Sequence, residues 1–113
     1  MAAGDVFPKM LCVPTTLGTT TTTLFTVPSN RQWAVKQIVI CNTDGVERLV
    51  TLSYDGTAAT ASNCFVYQLP IAAKDTIVLD TALVFEAADT LQGLSDTASK
   101  VTVTVTGWER QTA

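Results

Sequence analysis

The sequence predicts an all-β protein, a single antiparallel β-sandwich (jelly-roll-like) of about eight short strands. Three observations carry this. Val101, Val103 and Val105 alternate with Thr102, Thr104 and Thr106, the period-two pattern of a strand with one dry and one wet face. Turn-forming residues recur at short, even intervals, with no long segment of helical period. Threonine supplies 20 of the 113 residues, and its β-branched side chain suits a pleated, half-buried surface while keeping an exposed sheet face polar without charge.

Residues 1–10 read as an N-terminal arm in which Phe7 and Pro8 are the features. An arm of this length cannot bury itself and can lie on a neighbouring subunit. Residues 11–113 form the sandwich domain. Leu11-Cys12-Val13 begins a short strand stopped by Pro14. The run Thr19–Thr23, continued by Leu24-Phe25-Thr26-Val27, reads as one stiff strand ending at Pro28. Polar on both faces, it suits a sheet edge or an interface rim.

Gln32 to Asn42 predicts a central strand. Strict alternation puts Trp33, Val35, Val39 and Cys41 on one face and Ala34, Ile38 and Ile40 on the other. Ile38–Cys41 is apolar on both faces, which predicts cover on both sides. Asn42-Thr43-Asp44-Gly45 reads as a turn, and Arg48–Tyr54 as the returning strand of a hairpin. A small, polar loop follows from Asp55 to Asn63. Cys64–Leu69 is a strand ended by Pro70, and Thr76–Leu79 another. Ala82–Phe85 reads as strand or one helical turn. Glu86-Ala87-Ala88-Asp89 is a turn with alanine where glycine would be easier. Thr90–Ser95 and Lys100–Trp108 complete the strands.

The composition limits function. With 47% apolar and 15% charged residues, the chain can build a core. The net charge is −3, and the cations are scattered rather than striped, so nucleic-acid binding is not expected. No apolar run is long enough to span a bilayer. Met1–Asp5 lacks the basic and apolar regions of a signal peptide, which points to folding in a cytosol. Cys12, Cys41 and Cys64 sit among apolar neighbours and read as buried thiols, with a disulfide between two of them as the alternative.

No motif for chemistry emerges. Histidine is absent, so a nucleophile would lack its usual base, and three separated cysteines match no zinc pattern. Asp44, Asp55, Asp75, Asp80, Asp89 and Asp96 fall mostly at turns, where aspartate caps local amides. No phosphate loop or calcium pattern occurs. No catalytic residue, metal or cofactor is therefore expected, and the chain is not read as an enzyme. Trp108 is in phase with Thr102, Thr104 and Thr106, ahead of Arg110. It reads either as an interface anchor or as a plug at the end of the core. Trp108 or Tyr67 also allows a carbohydrate-binding module. Trp33 and Tyr54 read as core.

The order of motifs resembles a known group. Gln37-Ile38-Val39-Ile40-Cys41-Asn42-Thr43 is followed by Val50-Thr51-Leu52-Ser53. Leu83–Leu91 comes next, and the chain closes on Val101-Thr102-Val103-Thr104-Val105-Thr106-Gly107-Trp108-Glu109. This resembles the small β-sandwich virion structural proteins of tailed bacteriophages, of the capsid decoration or cement type, over roughly residues 24–110. Ala88 departs from the glycine those chains often carry. The resemblance implies a structural virion protein assembled in the host cytoplasm, binding the major capsid protein or other virion proteins. A homo-oligomer is expected, with a trimer favoured, and no nucleic-acid or membrane partner. A neck, tail or fibre-base component is the alternative. The candidate interface residues are Phe7, Thr20, Thr22, Thr102, Thr104, Thr106, Trp108 and Arg110.

Overall fold

The computed structural model describes residues 5–54 and 63–112. Its elements are β1 (Val6–Thr16), β2 (Thr22–Thr26), β3 (Arg31–Asn42), β4 (Arg48–Tyr54), β5 (Cys64–Ile71), β6 (Thr76–Phe85), β7 (Thr90–Ser95) and β8 (Val101–Gln111). They form two four-stranded antiparallel sheets, ordered β1-β8-β3-β6 and β2-β7-β4-β5. The order has a simple origin. β1 pairs with β8, β2 with β7, β3 with β6 and β4 with β5. The chain is thus one long antiparallel ribbon, folded back at β4–β5 and rolled so that successive sections alternate between sheets. The β3–β8 and β4–β7 pairings complete each sheet. The predicted jelly-roll-like sandwich is the observed fold.

The core lies between the sheets. Val101, Val103 and Val105 are fully buried, as their alternation predicts, and join Ile38, Ile40, Val50, Leu52 and Leu91. One end of the sandwich is filled by rings. Phe25 packs edge-on against Trp33 and Phe85, with centroids 5.0 and 5.1 Å apart, and Tyr54 stacks on Phe85 at 4.6 Å. Such pairs add to area burial. The Tyr54 hydroxyl, at the exposed edge, donates to Asp89 Oδ2 at 2.6 Å.

Several expectations are corrected. Gln32–Asn42 and Arg48–Tyr54 do not form a hairpin, since β3 and β4 belong to different sheets. The turn groups between them serve other segments. Thr43 N–H donates to Lys100 O at 2.8 Å, and Asp44 O accepts from Lys74 N–H at 3.0 Å. Fully buried Asn42 pins the crossing, its amide donating to the carbonyls of Val46, Ile71 and Ala72 while its oxygen accepts from Asp44 N–H.

Strict alternation also fails within β3. A register shift between Val35 and Gln37, with Lys36 as the extra residue, reverses the phase. Trp33, Val35, Ile38 and Ile40 all face the core, and Val39 and Cys41 turn outward. β3 is central in its sheet, but Val39 and Cys41 are half-buried rather than covered.

The arm boundary at residue 10 coincides with no element boundary, because β1 runs through it and Val6–Met10 pair with Thr106–Arg110. Thr76–Leu79 and Ala82–Phe85 are one strand, β6. The threonine run supplies β2 from Thr22, an edge strand of its sheet. The loop read from Asp55 lies, up to residue 62, outside the described residues. Ala88 holds a φ of 73°, the conformation glycine adopts more easily.

Candidate functional site

β8 sets the site. Its inward residues are buried, and its outward residues are Thr102, Thr104, Thr106, Trp108 and Arg110. The registers with β1, β3 and β6 extend those positions into transverse rows on the outer face of the β1-β8-β3-β6 sheet. One row runs Pro8–Trp108–Ala34–Val84, across all four strands and without a polar side chain. The next row toward β8's start is Met10–Thr106–Gln37–Asp80, and the one after carries Thr104–Val39–Val78. Among the described residues, Val6, Met10, Val78, Val84 and Trp108 on this face are five of the nine large apolar side chains exposed on the molecule. Charged residues on the face include Lys36, Asp80 and Arg110, with Asp80 accepting from Gln37 Nε2 at 3.4 Å.

Trp108 is 43% exposed, which excludes the end-plug alternative. It borders an open groove of about 470 Å³ lined by Pro8, Lys9, Met10, Lys36, Thr106 and Gly107. Its position is fixed from both sides. Gly107 lets β8 and β3 approach so closely that a Cβ there would meet the Ala34 carbonyl oxygen at 2.0 Å. Glu109 faces inward and is buried. Its carboxylate accepts from Arg31 Nε at 3.0 Å and Trp33 Nε1 at 3.3 Å, with Lys9 Nζ at 3.8 Å. A buried carboxylate is tolerated when cations and hydrogen-bond donors replace its water in this way.

The expected interface residues separate into groups. Thr102, Thr104, Thr106, Trp108 and Arg110 share the outer face. Phe7 lies opposite Glu109 in the register, hence on the inward side, and is half-buried. Thr20 precedes β2, and Thr22 pairs with Gly93 in the other sheet. Tyr67 is exposed on β5, also in the other sheet. Sequence reasoning missed Met10, Val78 and Val84, whose shared face depends on long-range register. It also missed the Lys9–Arg31–Glu109 cluster, whose members are far apart in the chain.

The face offers shape and apolar area rather than chemistry. Among the described residues, no group of three or more His, Cys, Asp or Glu is placed to hold a metal ion. Cys12, Cys41 and Cys64 form no disulfide with one another. The aspartates read as caps largely behave so: Asp44, Asp75 and Asp89 accept from nearby backbone N–H groups at 2.7–2.9 Å.

The fold and face together define a β-sandwich with one open apolar sheet surface. No protein-family model and no curated protein matches the sequence. Solved structures share the fold. A subunit of Bacillus endospore appendages, a family of disulfide-linked pili, aligns with a TM-score of 0.60 at 14% identity over 99% of this chain and 93% of its own. A chain of infectious bursal disease virus, Gx strain, aligns at 0.51 and 11% identity over 96% of this chain and 33% of its own. The Drosophila NLP core, whose structure bears on pentamer formation and histone binding, aligns at 0.51 and 14% identity over 88% and 97%. This chain therefore spans more than nine-tenths of the length of two of them and a third of the virus chain.

Proposed function

We propose that this chain is a structural virion protein of a tailed phage, a capsid decoration protein that binds the outer shell through the outer face of the β1-β8-β3-β6 sheet. The observation that carries the reading is the uncovered Pro8–Trp108–Ala34–Val84 row. Monomers rarely leave contiguous apolar surface of this kind without a partner for it. Size agrees: four strands about 4.8 Å apart and about 36 Å long make a face of roughly 700 Å², close to the roughly 800 Å² that each partner contributes to a standard interface. A pilus and a virus among the fold's relatives support an assembly role. The phage assignment rests on the motif order of residues 24–110. The partner in this reading is the major capsid protein or another virion protein, and the homo-oligomer a ring, with three copies favoured.

Electron microscopy of purified particles tests the reading. Hundreds of copies over the shell support decoration, and a few at one vertex move the protein to the neck or tail. Absence from purified particles sinks the proposal. Glycan-array binding that disappears in Trp108→Ala would instead favour a carbohydrate-binding module.

A further inference from the structure

Four strands end the two sheets: β1, β6, β2 and β5. Open edges invite pairing, and proteins block them with proline, lysine, bulges or short length. β1 carries Pro8, Lys9 and Pro14 and two register shifts. β2 has five residues. β5 has Pro70, two register shifts and a left-handed Gln68 at φ 48°. β6 differs: its ten residues contain no proline or lysine, and its single register shift against β3, between Asp80 and Leu83, leaves its own alternation intact. Its burial alternates without a break from Thr76 to Val84. Among the described residues it pairs with β3 on one side and with no strand on the other.

The direction of its free groups follows from the ladder. Asn42 N–H donates to Asp75 O at 2.9 Å, so alternation aims the N–H and C=O of Ile77 and Leu79 at β3. Those of Val78 and Asp80 point to the open edge, while the Thr76 N–H is taken by Asp75 Oδ1 at 2.8 Å. The unbroken alternation carries Ala82 and Val84 the same way.

We infer that β6 pairs antiparallel with β6 of a second copy, about a twofold axis at Thr81. The sequence selects the occupant and the register. Centred on Thr81, Val78 faces Val84, Asp80 faces Ala82 and Leu79 faces Leu83 of the second copy. Nine of the ten strand residues overlap, Ile77 to Phe85, and edge-directed groups meet edge-directed groups. Centring the pair on Asp80 would set two carboxylates directly opposite, which destabilises a ladder. The result is one eight-stranded sheet whose two apolar outer faces lie on the same side. The contact is twofold, so it joins one ring to the next rather than closing a ring. It stands independently of what the outer face binds. A single strand pair buries less than a standard interface of roughly 1,600 Å², so the dimer depends on concentration.

Sedimentation of the purified chain from micromolar to near-millimolar concentration tests this without any particle. Wild type shows a reversible doubling of mass. Ala82→Asp faces Asp80 of the second copy and weakens the doubling at least tenfold. Ala82→Lys faces the same carboxylate and keeps or tightens it. Residue 82 is exposed, so both variants retain wild-type melting. With Cys41 and Cys64 changed to serine, Thr81→Cys cross-links on oxidation, because it meets itself at the close-spaced, non-hydrogen-bonded position. A wild type that never doubles overturns the inference. So does a doubling that both charge variants leave unchanged, or one that Thr81→Cys does not cross-link.

Discussion

The backbones of Gly107 and Ala34 approach so closely that a single methyl group on Gly107 would sit 2.0 Å from the Ala34 carbonyl oxygen. The obstruction is main chain inside the β3–β8 ladder, not a side chain that can rotate away. Gly107→Ala is expected to destabilise by about 3 kcal/mol, at the upper end of overpacking costs. That corresponds to a melting-temperature drop of ten degrees or more. Gly45→Ala, with nothing within 4 Å of the added atom, is the control and should change little in urea titrations.

Glu109 is the buried charge on which Arg31, Lys9 and Trp33 converge. Glu109→Gln keeps the shape and removes the charge. Arg31 and Lys9 side chains are 29% and 39% exposed, so water partly replaces what is lost. A cost of about 1–2 kcal/mol is expected, below the 3–5 of a fully buried broken pair. Glu109→Leu, which also leaves Trp33 Nε1 unbonded, should cost more. Equal stability of both variants and wild type in urea would refute the account.

Trp108 should separate stability from assembly. Its ring faces outward, so Trp108→Ala is expected to shift folding stability by less than about 1 kcal/mol. Incorporation into particles should fall steeply, because interface energy concentrates in such anchors. Calorimetry and quantitation of the chain in purified particles read the two effects separately.

Ala88 occupies a glycine's conformation. Ala88→Gly should stabilise by about 0.5 kcal/mol, since relief of roughly 1 kcal/mol of left-handed strain exceeds the added freedom of the unfolded chain. Thermal melts of the two proteins decide the sign.

The Arg48 side chain, through Nε at 2.8 Å and Nη2 at 2.6 Å, and the Gly45 N–H at 2.7 Å hold the Asp44 carboxyl below its ordinary 3.8. A depressed folded value gives stability that is present above the unfolded value and lost as pH falls through the folded one. Arg48→Gln should raise the Asp44 titration toward 3.8 and flatten the loss of stability below about pH 4. A carboxyl-detected NMR titration gives the first effect, and urea unfolding between pH 2 and 7 the second.

The strands were legible because alternation is local: Val101, Val103 and Val105 name their face without help. The Lys36 bulge was not legible, since an inserted residue leaves the hydrophobic spelling intact while reversing which side it serves. Asp44-Gly45 spelled a hairpin, but fully buried Asn42 bonds to the end of β5 and carries the chain across to the other sheet. Thr102 to Arg110 could be named as one strip from sequence. That Met10, Val78 and Val84 stand beside it follows from three strand registers, and no window of sequence contains those.

The pairing of Val6 with Arg110 joins residues about a hundred positions apart, so β1 has its partner in a strand made about a hundred residues later. At roughly 5–20 residues per second of synthesis, β1 waits on the order of 5–20 s before that partner exists, and β2 waits for β7. Only β4 and β5, neighbours in the chain, can pair as they emerge. The ribbon must therefore close from its middle toward its ends. A chain cut short before β8 is not a smaller sandwich. It leaves β1 without a partner and bares the flank of β3.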